Sequence, residues 1–434
     1  MNERETLKIN SNGVLEIGGV DAVSLVKQYQ TPLYVMDKAY IKSICNVYVN
    51  TIKDFYGDGA VAYASKAFSC KEIYRIMKDS SMSIDVVSAG ELYTALSVGF
   101  PAEKIYFHGN NKSFFELDLA VKNNVGTIVL DAYQEADILN DICEKYNKTQ
   151  NVLIRTNPGI EAHTHHYIQT AKIDSKFGFS ISNLEALEMV KYALNKKNLK
   201  LKGLHCHIGS QIFEKKSFEL AVEKMTDFYL EIKNVLNYEL EVLNLGGGFG
   251  VYYTDEDAKL SVTDYAEYIK TIAKKLNDCV IKKGIKKPYL VIEPGRSIVG
   301  EAGVTLYTVG NIKTIPKVKN YLSVDGGMFD NPRFALYSAK YTVKIANRML
   351  DKPEKYYTVS GKCCESGDII AENCYLPTVK SGDIVATFST GAYNYSMASN
   401  YNRNLVPPVV MVENGKSYYA VKPQTLEDLL RNDV

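Results

Sequence analysis

The 434-residue sequence has no apolar run near the roughly 20 residues that cross a bilayer, so no membrane-spanning helix is expected. It has no excess of charge. Lys and Arg total 51 against 50 Asp and Glu, a net charge of +1, so neither nucleic acid nor an anionic membrane is expected as a partner. The eight cysteines include no Cys-x-x-Cys pair, which argues against a zinc ribbon and a disulfide framework and leaves thiols in a reducing cytoplasm as the expectation. Met1-Asn2-Glu3-Arg4-Glu5 lacks the apolar core of a secretion signal. Repeats and low-complexity tracts are missing too. What is present is 46% hydrophobic and 23% charged residue content, an ordinary globular composition on a chain long enough for two or three domains.

Short apolar runs alternate with longer amphipathic stretches. The runs are Val61-Ala62-Tyr63-Ala64, Ile84-Asp85-Val86-Val87, Ile105-Tyr106-Phe107, Thr127-Ile128-Val129-Leu130, Val152-Leu153-Ile154, Leu204-His205-Cys206-His207, Val242-Leu243-Asn244-Leu245 and Tyr289-Leu290-Val291-Ile292. Their length and their β-branched and aromatic content mark strands. Helix-like stretches lie between them at 113–123, 134–146, 183–196, 217–237 and 263–283. Ser182-Asn183-Leu184-Glu185 reads as a capped helix start, with Glu185 three residues past Ser182. This alternation predicts an α/β fold with a parallel sheet, either a closed (β/α)8 TIM-like barrel or a doubly wound open sheet. After residue 296 the texture turns β-rich, with Val304-Thr305-Leu306-Tyr307-Thr308-Val309, Tyr356-Tyr357-Thr358-Val359 and Ile384-Val385-Ala386-Thr387-Phe388 separated by turns. Val409-Val410-Met411-Val412 followed by Asn414-Gly415 reads as a hairpin arm and its turn. The expected division is a barrel over 37–298 and a sandwich- or barrel-like β domain from 1–36 and 299–434.

In such a barrel the chemistry sits at the C-terminal ends of the strands, just past each run. Lys66 follows the first run among small residues, placed to form a Schiff base with an aldehyde. A solvated surface lysine is the plain alternative. His205 and His207 lie two apart, on one side of a strand. They suit a metal or a planar ligand, though the sequence places no carboxylate beside them to complete a metal set. The adjacent Gly209-Ser210 suits an anion. Gly246-Gly247-Gly248-Phe249-Gly250 can cradle a small anion on backbone N–H groups, but has neither Walker nor dinucleotide spacing. Glu293-Pro294-Gly295-Arg296 brings a carboxylate able to keep a ring nitrogen protonated and a guanidinium fork for a carboxylate or phosphate. A salt bridge between the two is the alternative. His163-Thr164-His165-His166 falls in an expected loop without supporting acids, so no metal is assigned.

A Schiff-base lysine, an anion cradle, a stacking histidine and a ring-nitrogen carboxylate are together what pyridoxal phosphate needs. On these residues the chain resembles the barrel-type, alanine-racemase-like pyridoxal-phosphate decarboxylases, from about Thr31 to about Pro408. The resemblance implies Lys66 as the Schiff-base residue, His207 stacked on the cofactor ring and Glu293 on the pyridine nitrogen. It implies Ser210, Gly246, Gly247, Gly248, Pro294, Gly295, Arg296 and Tyr393 around the cofactor and its phosphate. Ser175-Lys176-Phe177-Gly178 matches the family near the substrate entrance. Arg333 and Tyr337, in Asn331-Pro332-Arg333-Phe334-Ala335-Leu336-Tyr337, would grip the substrate together with Arg296 and Tyr393. Cys364-Glu365-Ser366-Gly367-Asp368 implies Cys364 as proton donor and Glu365 as partner of a distal ammonium, both reaching the site from the other subunit of a homodimer.

The substrate so implied is meso-2,6-diaminopimelate, decarboxylated to L-lysine as the last step of lysine biosynthesis. Arg333 and Glu365 would offer opposite charges to the two charges of its distal end, and a ligand leaving either unpaired would be disfavoured by roughly 2–5 kcal/mol. A racemase on a similar barrel would use Lys66 without needing Cys364 and Glu365. A catalytically silent relative would tend to lose Lys66, Glu293 and Cys364. Lys362 and Phe334 stand where the family often has proline, and Ala171 where it often has glycine. Cys363 beside Cys364 reads as incidental, because adjacent cysteines form a strained bridge.

Overall fold

The computed structural model describes residues 1–160 and 175–434, so His163-Thr164-His165-His166 and Ala171 lie outside the described residues. The chain divides into two compact units. One comprises Ile44–Gly250 and Leu260–Gly295, the other Met1–Ser43, Val251–Lys259 and Arg296–Val434.

The first unit is a ring of eight parallel strands: β1 (Gly59–Ala64), β2 (Ser83–Val86), β3 (Ile105–Phe107), β4 (Thr127–Leu130), β5 (Gln150–Asn157), β6 (Leu199–His205), β7 (Val242–Asn244) and β8 (Tyr289–Ile292). Pairing of β8 with β1 through Leu290↔Gly59, Val291↔Ala60 and Ile292↔Val61 closes the ring, so the open-sheet alternative falls. Strands with a barrel interior on one face and helices on the other are buried on both. That is why they read as continuous apolar runs rather than alternating ones: Ile84, Val86, Ile105, Phe107, Ile128 and Leu130 are all fully buried.

Helices at Phe114–Lys122, Tyr133–Lys145, Glu185–Leu194, Lys215–Leu236 and Val262–Lys283 answer to the five expected stretches, and Lys71–Asp79 and Ala89–Leu96 supply two more. Ser113 with Glu116 and Ser261 with Asp264 form capping boxes that satisfy the first amides of their helices. The expected cap at Ser182 is corrected. The helix begins at Glu185 behind Leu184 in a left-handed conformation, because Asn183 Oδ1 accepts from Glu185 N at 3.3 Å while the Glu185 carboxylate accepts from Ser180 N at 3.3 Å. No described helix is long and apolar enough to cross a membrane.

The second unit is built on a nine-stranded sheet, counted among the described residues. Its centre is the long strand Gly303–Ile315. The first half pairs with Leu33–Asp37 on one side and Ile384–Phe388 on the other; beyond a bulge between Val309 and Ile312, the second half pairs with Lys319–Val324. A strand with two faces feeds two cores. Val304 and Leu306 pack with Leu15, Leu33 and Phe388, whereas Tyr307 and Val309 pack with Leu322, Tyr357 and Val359. The hairpin Val409–Glu413 to Lys416–Val421 turns through Asn414 and Gly415, both at positive φ, as an Asn-Gly turn requires.

Candidate active site

At the C-terminal mouth of the barrel side chains at the strand ends and just past them converge on Glu293. His108 Nε2 lies 2.8 Å from Glu293 Oε1, Asn244 Nδ2 donates to the same oxygen at 2.6 Å, and His205 Nε2 lies 3.1 Å from Oε2. All four residues are buried. The rings of His108 and His205 meet edge to face at 4.7 Å, and Asp85 stands 4.0 Å from His108. Burial opposes ionisation of Glu293, yet His108 and His205 with their hydrogen bonds outweigh it and hold the carboxyl well below its ordinary range. Burial pushes the His205 imidazole down to about 4 against the pull of Glu293. His205 Nδ1 has no hydrogen-bond partner, so a neutral ring donating through Nε2 is the form the site accepts.

These positions revise the histidine reading. Strand β6 ends at His205, so His207 lies past the strand and the two-residue alternation of a strand does not extend to it. His207 Nδ1 accepts from Gly247 N at 3.2 Å, and burial with Lys66 and Arg155 holds its imidazole neutral, well below the ordinary value. The carboxylate beside His205 comes from Glu293, just past the end of β8. His108, His205 and Glu293 bring their ligand atoms within 4.8 Å of one another.

Four turns meet around this cluster. Lys66 is exposed on a short turn directly after β1. Gly295 lies against it, so close that a Cβ would stand 2.9 Å from Ala64 Cβ. Pro294 accepts from Ala64 N through its carbonyl at 3.1 Å, a backbone role. The Gly246-Gly247-Gly248 turn follows β7, with Gly246 and Gly248 at positive φ. Gly248 packs on Gly209, next to Ser210: a Cβ there would lie 2.5 Å from Gly209 O. The first two amides of this turn differ from the simple anion-cradle expectation, because acceptors lie within reach. Gly246 N donates to Asn244 Oδ1 at 2.9 Å, and Gly247 N to His207. The glycines, the ionised buried carboxylate, the neutral His207 and the exposed Lys66 nonetheless form one set at one mouth. They fit a flat, phosphorylated pyridine aldehyde.

The remaining expected residues lie in the β unit. Arg296 and Arg333 are buried. The Arg296 guanidinium stands 4.7 Å from the Tyr393 ring centroid, and Tyr337 is exposed at 45%. Cys364 and Glu365 are exposed on a loop clipped by buried Asp368, whose carboxylate accepts from Met328 N and Cys363 N, each at 2.6 Å. Lys362 N donates to Gly326 O at 3.0 Å, a bond that proline at this position could not make. Cys363 and Cys364 are both free thiols.

His108, Asn244 and Asp85 are not singled out by the sequence. His108 directly follows the third run, so the rule that exposed Lys66 would have found it. Asn244 and Asp85 sit inside apolar runs, where nothing local marks them.

The His205 geometry carries a pH prediction. The unfolded imidazole takes up a proton near pH 6.5 while the folded one refuses it down to about pH 4, so stability is lost as pH falls through this window, by about 3 kcal/mol in full. Glu293, held ionised in the fold, adds a loss of the same sign only at lower pH, below its unfolded value near 4.5. Denaturant unfolding at pH 7 and pH 5 should show the loss, and His205→Gln should flatten it. An unchanged slope in that variant would refute the account.

A family model described as "Pyridoxal-dependent decarboxylase, pyridoxal binding domain" matches residues 43–300. Diaminopimelate decarboxylase of Bacillus methanolicus is 49% identical, with 96% of each chain covered. That of Bacillus subtilis is 47% identical over 99% of this chain and 97% of its own. The crystal structure of the M. jannaschii diaminopimelate decarboxylase in co-complex with L-lysine superposes with a TM-score of 0.90 at 32% identity, covering 99% of this chain and 98% of that one. The chain belongs to the pyridoxal-dependent decarboxylases, within the diaminopimelate decarboxylase family.

Proposed function

We propose that the protein removes one carboxylate from meso-2,6-diaminopimelate, yielding L-lysine and carbon dioxide, with pyridoxal phosphate as its cofactor. The observation that carries this reading is the buried Glu293 carboxylate, kept ionised by His108, His205 and Asn244 at the mouth where Lys66 stands exposed. When bound, the cofactor supplies an aldehyde carbon and a ring that accepts the electron pair released as carbon dioxide departs. In this reading Lys66 Nζ is the amine that holds the aldehyde and yields it to substrate. Glu293 holds a proton at the ring nitrogen, which makes the ring an electron acceptor. His207 covers one ring face, and Ser210, the Gly246-Gly247-Gly248 turn, Gly295 and Tyr393 hold the phosphate.

Arg333 and Glu365 read the distal carboxylate and ammonium, with Arg296, Tyr337 and Tyr393 beside them, and Cys364 Sγ returns a proton to the carbon that lost carbon dioxide. The exposure of Cys364 and Glu365 supports a homodimer in which each chain completes the other's site. The test is carbon dioxide and L-lysine release from purified protein with pyridoxal phosphate and meso-diaminopimelate, beside ornithine and arginine. The same sample should sediment at about twice the 48.5 kDa chain mass. Release from ornithine or arginine instead would keep the cofactor chemistry and remove the roles of Arg333 and Glu365. A monomer that turned over fully would remove the shared site.

A further inference from the structure

The hydroxyl of Tyr253 is the meeting point of two buried guanidiniums. Arg296 Nη1 donates to it in a short hydrogen bond, and Arg333 Nη1 donates to it at 3.2 Å. Arg333 Nη1 also donates to Tyr341 Oη at 2.8 Å. Among the described residues Arg333 meets no carboxylate. Its partners are these two phenol oxygens and the two rings, whose centroids lie 5.2 and 5.7 Å from its guanidinium carbon. Both hydrogen bonds leave from one nitrogen, so the Nε and Nη2 edge of the fork remains for an anion.

A phenol is the group such a pair needs. Its oxygen has lone pairs for both guanidiniums and sits on a rigid ring, so it sets their spacing. A carboxylate there would hold them as well but would compete with an incoming carboxylate for the same charge. Burial raises the Tyr253 pKa, yet Arg296 and Arg333 outweigh it and bring it below its ordinary value, in keeping with an oxygen that carries much of their field.

We propose that Tyr253 is a positioning residue for substrate recognition. By accepting from both arginines it fixes their separation and turns the open edge of Arg333 toward the distal carboxylate, the one that survives in L-lysine. The inference rests on the diaminopimelate reading above.

Tyr253→Phe removes the oxygen and keeps the ring. The KM for meso-diaminopimelate should rise about ten- to thirtyfold, the effect of losing a hydrogen bond to a charged group, while kcat changes less than about threefold. Inhibition of the holoenzyme by L-lysine should weaken by the same factor as KM rises. Inhibition by 1,5-diaminopentane, which has no distal carboxylate, should stay as it was. Equal weakening of both ligands would mean general loosening of the site and would overturn the proposal, as would unaltered lysine inhibition. If Tyr253→Phe holds no cofactor, Tyr341→Phe decides by the same pair of ligands, since it removes one of the two Arg333 bonds. About threefold weaker lysine with unchanged diaminopentane is then expected, and any other pattern overturns the proposal. Failure of the substrate reading would show separately, as no carbon dioxide from the chain with Tyr253 intact.

Discussion

Glu293→Gln is expected to keep the fold and most of the cofactor affinity while turnover falls about 10²- to 10³-fold. The carboxylate accepts from three groups, His108, His205 and Asn244. An amide of the same shape keeps one oxygen to accept, and its nitrogen then faces a donor. His205 can absorb that conflict: Nδ1 is without a hydrogen-bond partner, so moving the proton there turns Nε2 into an acceptor. Stability should therefore drop by no more than about 2 kcal/mol. An amide has no charge with which to hold a proton on a pyridine nitrogen, so the loss belongs in kcat. Cofactor affinity by absorbance titration and kcat by carbon dioxide release separate the two effects. Full turnover would remove the proposed role, and loss of cofactor binding would reassign Glu293 to holding rather than activating.

Gly247→Ala should have the largest structural effect of any single methyl group at the site. A Cβ at this position would lie 2.1 Å from the Glu293 carbonyl oxygen and 3.0 Å from its carbonyl carbon, well inside contact distance. The obstacle is backbone, so no rotamer change relieves it. Either the turn after β7 or the end of β8 must move, which strains the 2.7 Å bond from Glu293 N to Gly246 O. Overpacking of this kind costs about 1–3 kcal/mol, and here the displaced groups include the carboxylate and the proposed phosphate turn. Cofactor affinity should fall at least about 100-fold, a result of misplacement by about an ångström. Gly310→Ala is the control, because a Cβ there would meet only Ser323 O at 3.7 Å. Retained affinity in Gly247→Ala would show that this turn yields without disturbing Glu293.

The barrel was legible because burial on both faces writes each strand as a continuous apolar run, and all eight runs fall on strands, those at Val87, Cys206-His207 and Leu245 reaching past the strand end. Lys66 and Glu293 were legible for a related reason: each lies within two residues of the end of such a run, where the chain leaves the barrel and a side chain meets the mouth. The cap at Ser182 was misread because Ser-x-x-Glu spacing cannot report that Leu184 turns left-handed and that Glu185 reaches Ser180 instead. The same limit applies to the amides of Gly246 and Gly247. Their composition suggested an anion, and which acceptor they meet depends on Asn244, two residues upstream, and on His207, which the neighbouring strand brings close.

The sequence by itself determined the strands, most of the helices, the β-rich character of the remainder and the family. Each of these is written locally, in the periodicity of burial and in short motifs. The tertiary structure alone decided that β8 pairs with β1, that His108, His205 and Asn244 share one carboxylate, and that residues Val251–Lys259 join the β unit and so bring Tyr253 to Arg296 and Arg333. Those contacts join residues far apart along the chain. Their geometry is set by strand register and ring closure, which no local pattern records.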